Sequence, residues 1–370
     1  MPRNLLGKAY IVAGVGGVGF FAMSVLLLGV WPGRVLEEET RRMSPAHPLK
    51  LTASEQRGRE IYSREGCAYC HTQQIRYLDS DIARFGKPTL AWETQFDYPH
   101  LWGTRRIGPD LSREGSLHPE DWELSHLYSP RALVPDSVMP AFPAMFDGAP
   151  DRPFQAARDV VAYLASLGRA RELVEPLPRI EQQPVFSAAG DQARGRIVYA
   201  QNCSGCHGRH GEGDGPGAAG LSPRPANLAA HEYSDKRVAF ALWNGVRGTA
   251  MQGWRDLPRA DLSAAVRVVR EFHVASAEPT PPADLLTLGE RVYADHCAQC
   301  HGEHGAGDGP AVSEIAVAPT SFGAQRASVA EALRVLRNGI AGTPMAPWNT
   351  KLSDAELSAV VTFIRGFYQP

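Results

Sequence analysis

Residues Ala9 to Trp31 carry no charged side chain, and 23 residues rising about 1.5 Å each cover about 34 Å, enough to cross a hydrocarbon core of about 30 Å. The pattern predicts a transmembrane helix. A cleaved signal peptide would have a shorter apolar region and a small-x-small site, which Val30-Trp31-Pro32-Gly33-Arg34 does not supply. The chain then turns polar, and Pro32 to Leu51, with Glu37-Glu38-Glu39, reads as a stalk. Thr52 and Glu55 form a capping-box signal for a helix running to about Arg64. Helical apolar periodicity returns in Phe154 to Leu167, Leu262 to Phe272 and Glu356 to Phe367, the last opened by a Ser353/Glu356 capping box. Between these stretches, Glu175 to Ala188 and Ala275 to Asp284 are proline-bearing and read as stiff linkers.

Cys67-Ala68-Tyr69-Cys70-His71 recurs as Cys203-Ser204-Gly205-Cys206-His207 and Cys297-Ala298-Gln299-Cys300-His301, and the three runs use all 6 cysteines. Two thiols one short turn apart suit addition to the two vinyl groups of a haem, and the adjacent His then reaches the iron. Each run has only three soft ligands and no second close pair, which argues against zinc; a disulfide framework would not place a His after every second Cys. Three covalent haem c groups are expected, with Cys67, Cys70, Cys203, Cys206, Cys297 and Cys300 as thioether partners and His71, His207 and His301 as iron ligands.

Before each run lies a Gly-xxx-Tyr pair, Gly58/Tyr62, Gly195/Tyr199 and Gly289/Tyr293. A glycine there lets a second helix approach closely, and the aromatic packs across it. Two terminal helices around a haem motif resemble the class I cytochrome c fold. The expected architecture is all-α: an anchor (1–34), a stalk (35–51), three class I cytochrome c domains (52–170, 189–274 and 285–370) and linkers at 171–188 and 275–284. Composition adds limits. With 38 basic against 40 acidic residues the net charge is −2, which excludes the basic profile of a nucleic-acid binder. Charges flank the anchor almost evenly, so orientation follows from the haem motifs, which place the body in the periplasm of a bacterial cytoplasmic membrane. Ala9, Ala13 and Gly17 form a small-residue row that either seats a neighbouring membrane helix or faces lipid.

The second and third domains match at a fixed offset of 94: Cys203 with Cys297, Asp214 with Asp308, Asn244 with Asn338, Trp254 with Trp348. They are duplicates. Their Gly-rich runs, Gly211 to Pro216 and Gly305 to Pro310, lack a preceding strand and a Lys-Ser/Thr, so they read as haem-hugging loops and not phosphate loops. The offset also pairs Met251 with Met345, each 44 residues after its His, as sixth ligands. His210 and His304 repeat as well but sit too close to the proximal His to reach the opposite face. In the first domain the candidate is Met139, with Met145 and His126 as rivals. With both axial positions filled, no iron is open to oxygen, peroxide or nitrite, and no catalytic residue is assigned.

The first domain is not a third copy. It carries Thr72-Gln73-Gln74-Ile75-Arg76, Ala83-Arg84-Phe85-Gly86, Asp97 to Arg106, Gly108-Pro109-Asp110-Leu111, His126 to Arg131 and Pro135 to Pro140. With the amino-terminal anchor, residues 1 to about 165 resemble the mono-haem cytochrome c subunit (subunit II) of cbb3-type haem-copper oxygen reductases. Residues 185 to 370 resemble generic tandem cytochrome c domains. The resemblance supports Cys67, Cys70, His71 and Met139 as one site. It implies a non-catalytic electron-transfer subunit that takes electrons from a soluble cytochrome c or other periplasmic donor and passes them to a haem-copper catalytic membrane subunit. Related readings are a nitric oxide reductase subunit and the tri-haem acceptor subunit of a membrane dehydrogenase; a peroxidase would need a five-coordinate haem.

Overall fold

The computed structural model describes residues 3–43, 50–94, 96–97, 100–170, 189–255, 257–273 and 280–369. The helix Arg3–Val25 is long and apolar enough to cross a membrane, and none of its apolar window is buried against the rest of the chain. It does not stop at the expected stalk. A π turn, Leu26–Val30, carries it into a second helical segment, Trp31–Met43. Pro32 explains the turn: proline lacks an N–H and crowds the carbonyl four residues back, and a widened turn makes room. Arg42 and Glu38, one turn apart, form a 2.6 Å ion pair on the polar stretch. The remainder of the expected stalk, 44–49, and the linker at 171–188 lie outside the described residues, as does the first half of the second linker, 275–279; Ala283 already opens the next helix.

Each haem domain is built on one crossed pair of helices. Ala53–Arg64, with the Thr52/Glu55 capping box formed, crosses Gln155–Ser166. Gln192–Asn202 crosses Arg259–Glu271, and Ala283–His296 crosses Asp354–Arg365, which starts at the Ser353/Glu356 capping box. The predicted glycines sit at the crossings. A Cβ on Gly58, Gly195 or Gly289 would lie 1.8, 2.4 or 2.2 Å from the carbonyl oxygen of Asp159, Ala264 or Ala359. The paired tyrosines lie edge-on or tilted against the partner element: Tyr62 on Tyr163 at 5.3 Å, Tyr199 on Phe272 at 4.9 Å, Tyr293 on Phe363 at 5.5 Å between ring centroids.

One element departs from the all-α expectation. His231–Tyr233 and Gln325–Ala327 pair as a two-stranded antiparallel ribbon in the register His231↔Ala327, Glu232↔Arg326, Tyr233↔Gln325. These strands are equivalent under the offset of 94. The flanking bonds are reciprocal too: Ser234 N–H donates to the Ala324 carbonyl at 3.0 Å and Ser328 N–H to the Ala230 carbonyl at 2.7 Å. Gly248 packs on Ala316 while its counterpart Gly342 packs on Ser222, the counterpart of Ala316. The duplicated domains therefore meet as a pseudo-two-fold pair, each presenting the same surface to the other. The first domain docks on the second through the short helix Pro130–Leu133, whose Leu133 carbonyl lies where a Cβ on Gly205 would be, 2.1 Å away.

Candidate haem sites

Each Cys-x-x-Cys-His run closes as a single helical turn. The His71, His207 and His301 N–H groups donate to the carbonyls of Cys67, Cys203 and Cys297 at 3.0, 2.9 and 2.9 Å, so both thiols and the imidazole share one turn. Each imidazole also pairs through Nδ1 with a backbone carbonyl: His71 with Pro109 at 2.9 Å, His207 with Ala226 at 3.1 Å, His301 with Thr320 at 3.0 Å. That bond places the proton on Nδ1 and leaves the Nε2 lone pair for a metal. Burial keeps all three imidazoles neutral by pushing their pKa down.

The chain brings the carbonyl to the His by two routes. In the duplicated domains it lies 19 residues on, and the Gly-rich loop folds back directly, with Gly213 N–H on the His207 carbonyl (2.9 Å) and Gly307 N–H on the His301 carbonyl (2.8 Å). These runs are therefore loops that close back on the histidine turns. In the first domain the carbonyl lies 38 residues on, and Gly108 closes the turn by donating to the Cys70 carbonyl at 3.0 Å. Only glycine fits there, because a Cβ would fall 2.3 Å from the His71 ring.

Three methionines share one local structure. The Met139, Met251 and Met345 N–H groups donate to Ser137, Thr249 and Thr343 hydroxyls at 3.2, 3.1 and 3.2 Å. A Ser/Thr two residues before each Met was the available signal. One continuous cavity of about 3260 Å³ is lined by His71, Met139, His207, Met251, His301 and Met345, and by all six cysteines. Met145 packs against the first-domain core and is not among the residues lining that cavity; neither are His210 and His304. His126 does line it, with Nδ1 lacking a protein partner and its pKa pushed down to about 4, first by burial and then by His118.

The residues fit haem. Burial pushes the Cys67, Cys206 and Cys297 thiols up to about 11 and Cys203 to about 12, and all six cysteines line the cavity beside the three histidines. A cofactor pocket spans about 300–1,000 Å³, so the cavity has room for several large planar groups beside the three turns.

Sequence reasoning missed a cluster at the seam of the first two domains. Trp122 stacks between His118 (3.6 Å, 12°) and His126 (4.6 Å, 7°). His118 pairs through Nδ1 with Glu114 and through Nε2 with Gln252 Oε1, the neighbour of Met251 in the second domain. Glu114 and Glu123 are 4% and 7% exposed. Burial and the adjacent Glu114 carboxylate push the Glu123 carboxyl well up; burial also opposes ionisation of Glu114, but the bond and charge of His118, the Glu123 bond and the His126 charge together outweigh it.

A family described as cytochrome c oxidase, mono-haem subunit/FixO, matches residues 16–170, and a family described as cytochrome c oxidase, cbb3-type, subunit III, matches residues 190–267 and 284–364. The cbb3-type cytochrome c oxidase subunit FixP of Azorhizobium caulinodans is 26% identical over 202 residues, 51% of this chain and 64% of that protein. The subunit CcoP of Cereibacter sphaeroides is 28% identical over 184 residues, 46% of this chain and 59% of that one. The chain thus spans less than two thirds of the length of these relatives.

Proposed function

We propose that the chain, which matches the mono-haem subunit family of cytochrome c oxidase over residues 16–170 and the cbb3-type subunit III family over residues 190–267 and 284–364, is a membrane-anchored, tri-haem electron relay. Cys67/Cys70, Cys203/Cys206 and Cys297/Cys300 would hold the three haems covalently, with His71/Met139, His207/Met251 and His301/Met345 as axial pairs. The observation that carries this reading is the threefold recurrence of one local design around a shared cavity: a His fixed by a backbone carbonyl and a Met fixed by a hydroxyl two residues earlier. Bound haem c supplies a one-electron Fe(III)/Fe(II) couple, and thioether ligation raises its potential.

The protein's own part is positioning. The carbonyl bonds hold each imidazole in one tautomer, and the apolar lining keeps water from the ring edges. With a His and a Met both held for each iron, no site would remain for an exogenous ligand, which suits a relay and not a reductase. The order of the domains favours exit at the first. Thr52 follows Met43 by nine residues, so that domain starts within about 30 Å of the helix end, whereas the duplicated pair lies beyond it. Electrons from a soluble cytochrome c or another periplasmic donor would enter at the pair and leave from the first domain into a haem-copper catalytic subunit in the same membrane.

Purification of the assembly in mild detergent tests this. The account expects three haem c per chain, a large co-purifying membrane subunit and donor-driven oxygen reduction. Fewer than three haems, or no haem-copper partner, would overturn it.

A further inference from the structure

Buried carboxylates in the first domain follow a rule with one exception. Glu55 faces Arg169, Asp81 faces Arg76 and Arg106, Glu93 faces Arg113, Asp97 faces Arg59, Asp110 faces Arg106 and Asp159 faces Arg57. Glu114 and Glu123 are as deeply buried, yet among the described residues their ion pairs include no arginine or lysine; only His118 approaches Glu114. Two carboxyl groups side by side out of water need either a shared proton or a bound cation to offset the charge. Glu123 Oε1 is moreover fully buried with no hydrogen-bond partner.

We propose that Glu114, His118 and Glu123 form a binding site for a divalent transition ion of the zinc class, at the seam of the first and second domains. One ligand atom from each lies within 4.8 Å of the other two. Ligands about 2.0–2.2 Å from one ion stand at most about 4.4 Å apart, so small side-chain rotations complete the site. The second-domain residue Gln252 supplies the orientation such a site needs. With Gln252 Oε1 accepting from His118 Nε2–H, the Nδ1 lone pair is turned toward the Glu114 carboxylate oxygen. In the neutral tautomer these two acceptors repel, and a bound cation, reached by small side-chain rotations, would join them as a proton on Nδ1 otherwise does. One nitrogen and two carboxylate oxygens suit zinc, and its two charges balance the two carboxylates. Trp122, stacked on the imidazole, fixes the ring plane. Because Gln252 belongs to the second domain, metal binding would also hold the two domains together.

The test uses the full-length, haem-loaded chain in detergent. EDTA treatment leaves covalent haem in place, and Zn²⁺ alone is then titrated calorimetrically, with elemental analysis after dialysis. One zinc per chain is expected. Glu123→Gln, which keeps shape and removes charge, and His118→Asn should each weaken binding about 100-fold or more, and Gln252→Ala about 10- to 100-fold. His210→Asn, in an exposed loop outside the cluster, should leave binding unchanged. An unchanged haem spectrum checks that each variant is folded. Absence of stoichiometric zinc in the parent chain, as for a cluster compensated by protons alone, overturns the proposal; so does zinc retained at full affinity by Glu123→Gln.

Discussion

Among the described residues, every buried carboxylate lies in the first domain, while the cores of the duplicated pair are built from side chains such as Val198, Leu262, Val266, Leu357 and Val360. The contrast follows from how each domain reaches its histidine. In the pair, a short glycine loop folds back and its own backbone closes the bonds. The first domain returns to His71 through a long irregular segment whose buried N–H groups need partners that a helix or sheet would have supplied. Asp110 takes the Gln74 and Ser112 N–H groups at 2.8 and 3.0 Å, and Thr89 Oγ1 takes the Ile75 N–H at 2.9 Å. Arg106 reaches Thr72, the Gln74 carbonyl, Asp81 and Asp110 together. Equivalent haem turns can thus sit in domains stabilised by different physics.

Acid should separate the two kinds of domain most strongly. The Arg76 bond holds Asp81, and the Arg57 bond holds Asp159, well below the usual carboxylate range. A folded-state pKa below the unfolded one, about 3.9 for Asp, contributes stability that is complete above that value and lost as pH falls through the folded one. Asp97 works the other way, since burial outweighs its Arg59 bond, and offsets part of the loss. Acid titration followed by circular dichroism and the haem bands should therefore unfold the first domain before the pair. Simultaneous loss would dissolve the distinction.

Next in size is Arg106→Ala, which strands Asp110 and leaves Asp81 with Arg76 alone, and should cost the first domain about 3–5 kcal/mol, read as a lowered melting transition with the pair unmoved. The shared scaffold gives a smaller, symmetric effect: Gly58→Ala and Gly289→Ala should each destabilise their own domain by about 1–3 kcal/mol by forcing the helices apart. Smallest is Ser137→Ala, about 0.5–1.5 kcal/mol, which should shift the far-red sulfur-to-iron band of the first domain no more than Thr249→Ala shifts that of the second.

What could be read from the chain was whatever is local or repeated. Caps at Thr52 and Ser353, the Gly-xxx-Tyr pairs and the Met251/Met345 spacing all depend on residues a few positions apart or on a second copy for comparison. The first-domain ion pairs join residues as distant as Arg57 and Asp159, which no period signals. The ribbon was invisible because three-residue strands carry no alternation and their pairing is set by the pseudo-two-fold contact. The stalk misled because its prolines and charges resemble a linker, whereas a π turn lets the helix run through Pro32. His118 gave no motif, being joined to Gln252 only by domain docking.

The central claim is that the first domain is the exit and the pair the supply. Mixing the fully reduced complex with oxygen in a rapid-flow spectrometer tests it, using Met139→Ala to identify the first-domain band. The account predicts that this band oxidises first and the bands of the pair follow. Oxidation of the pair ahead of it would contradict the account.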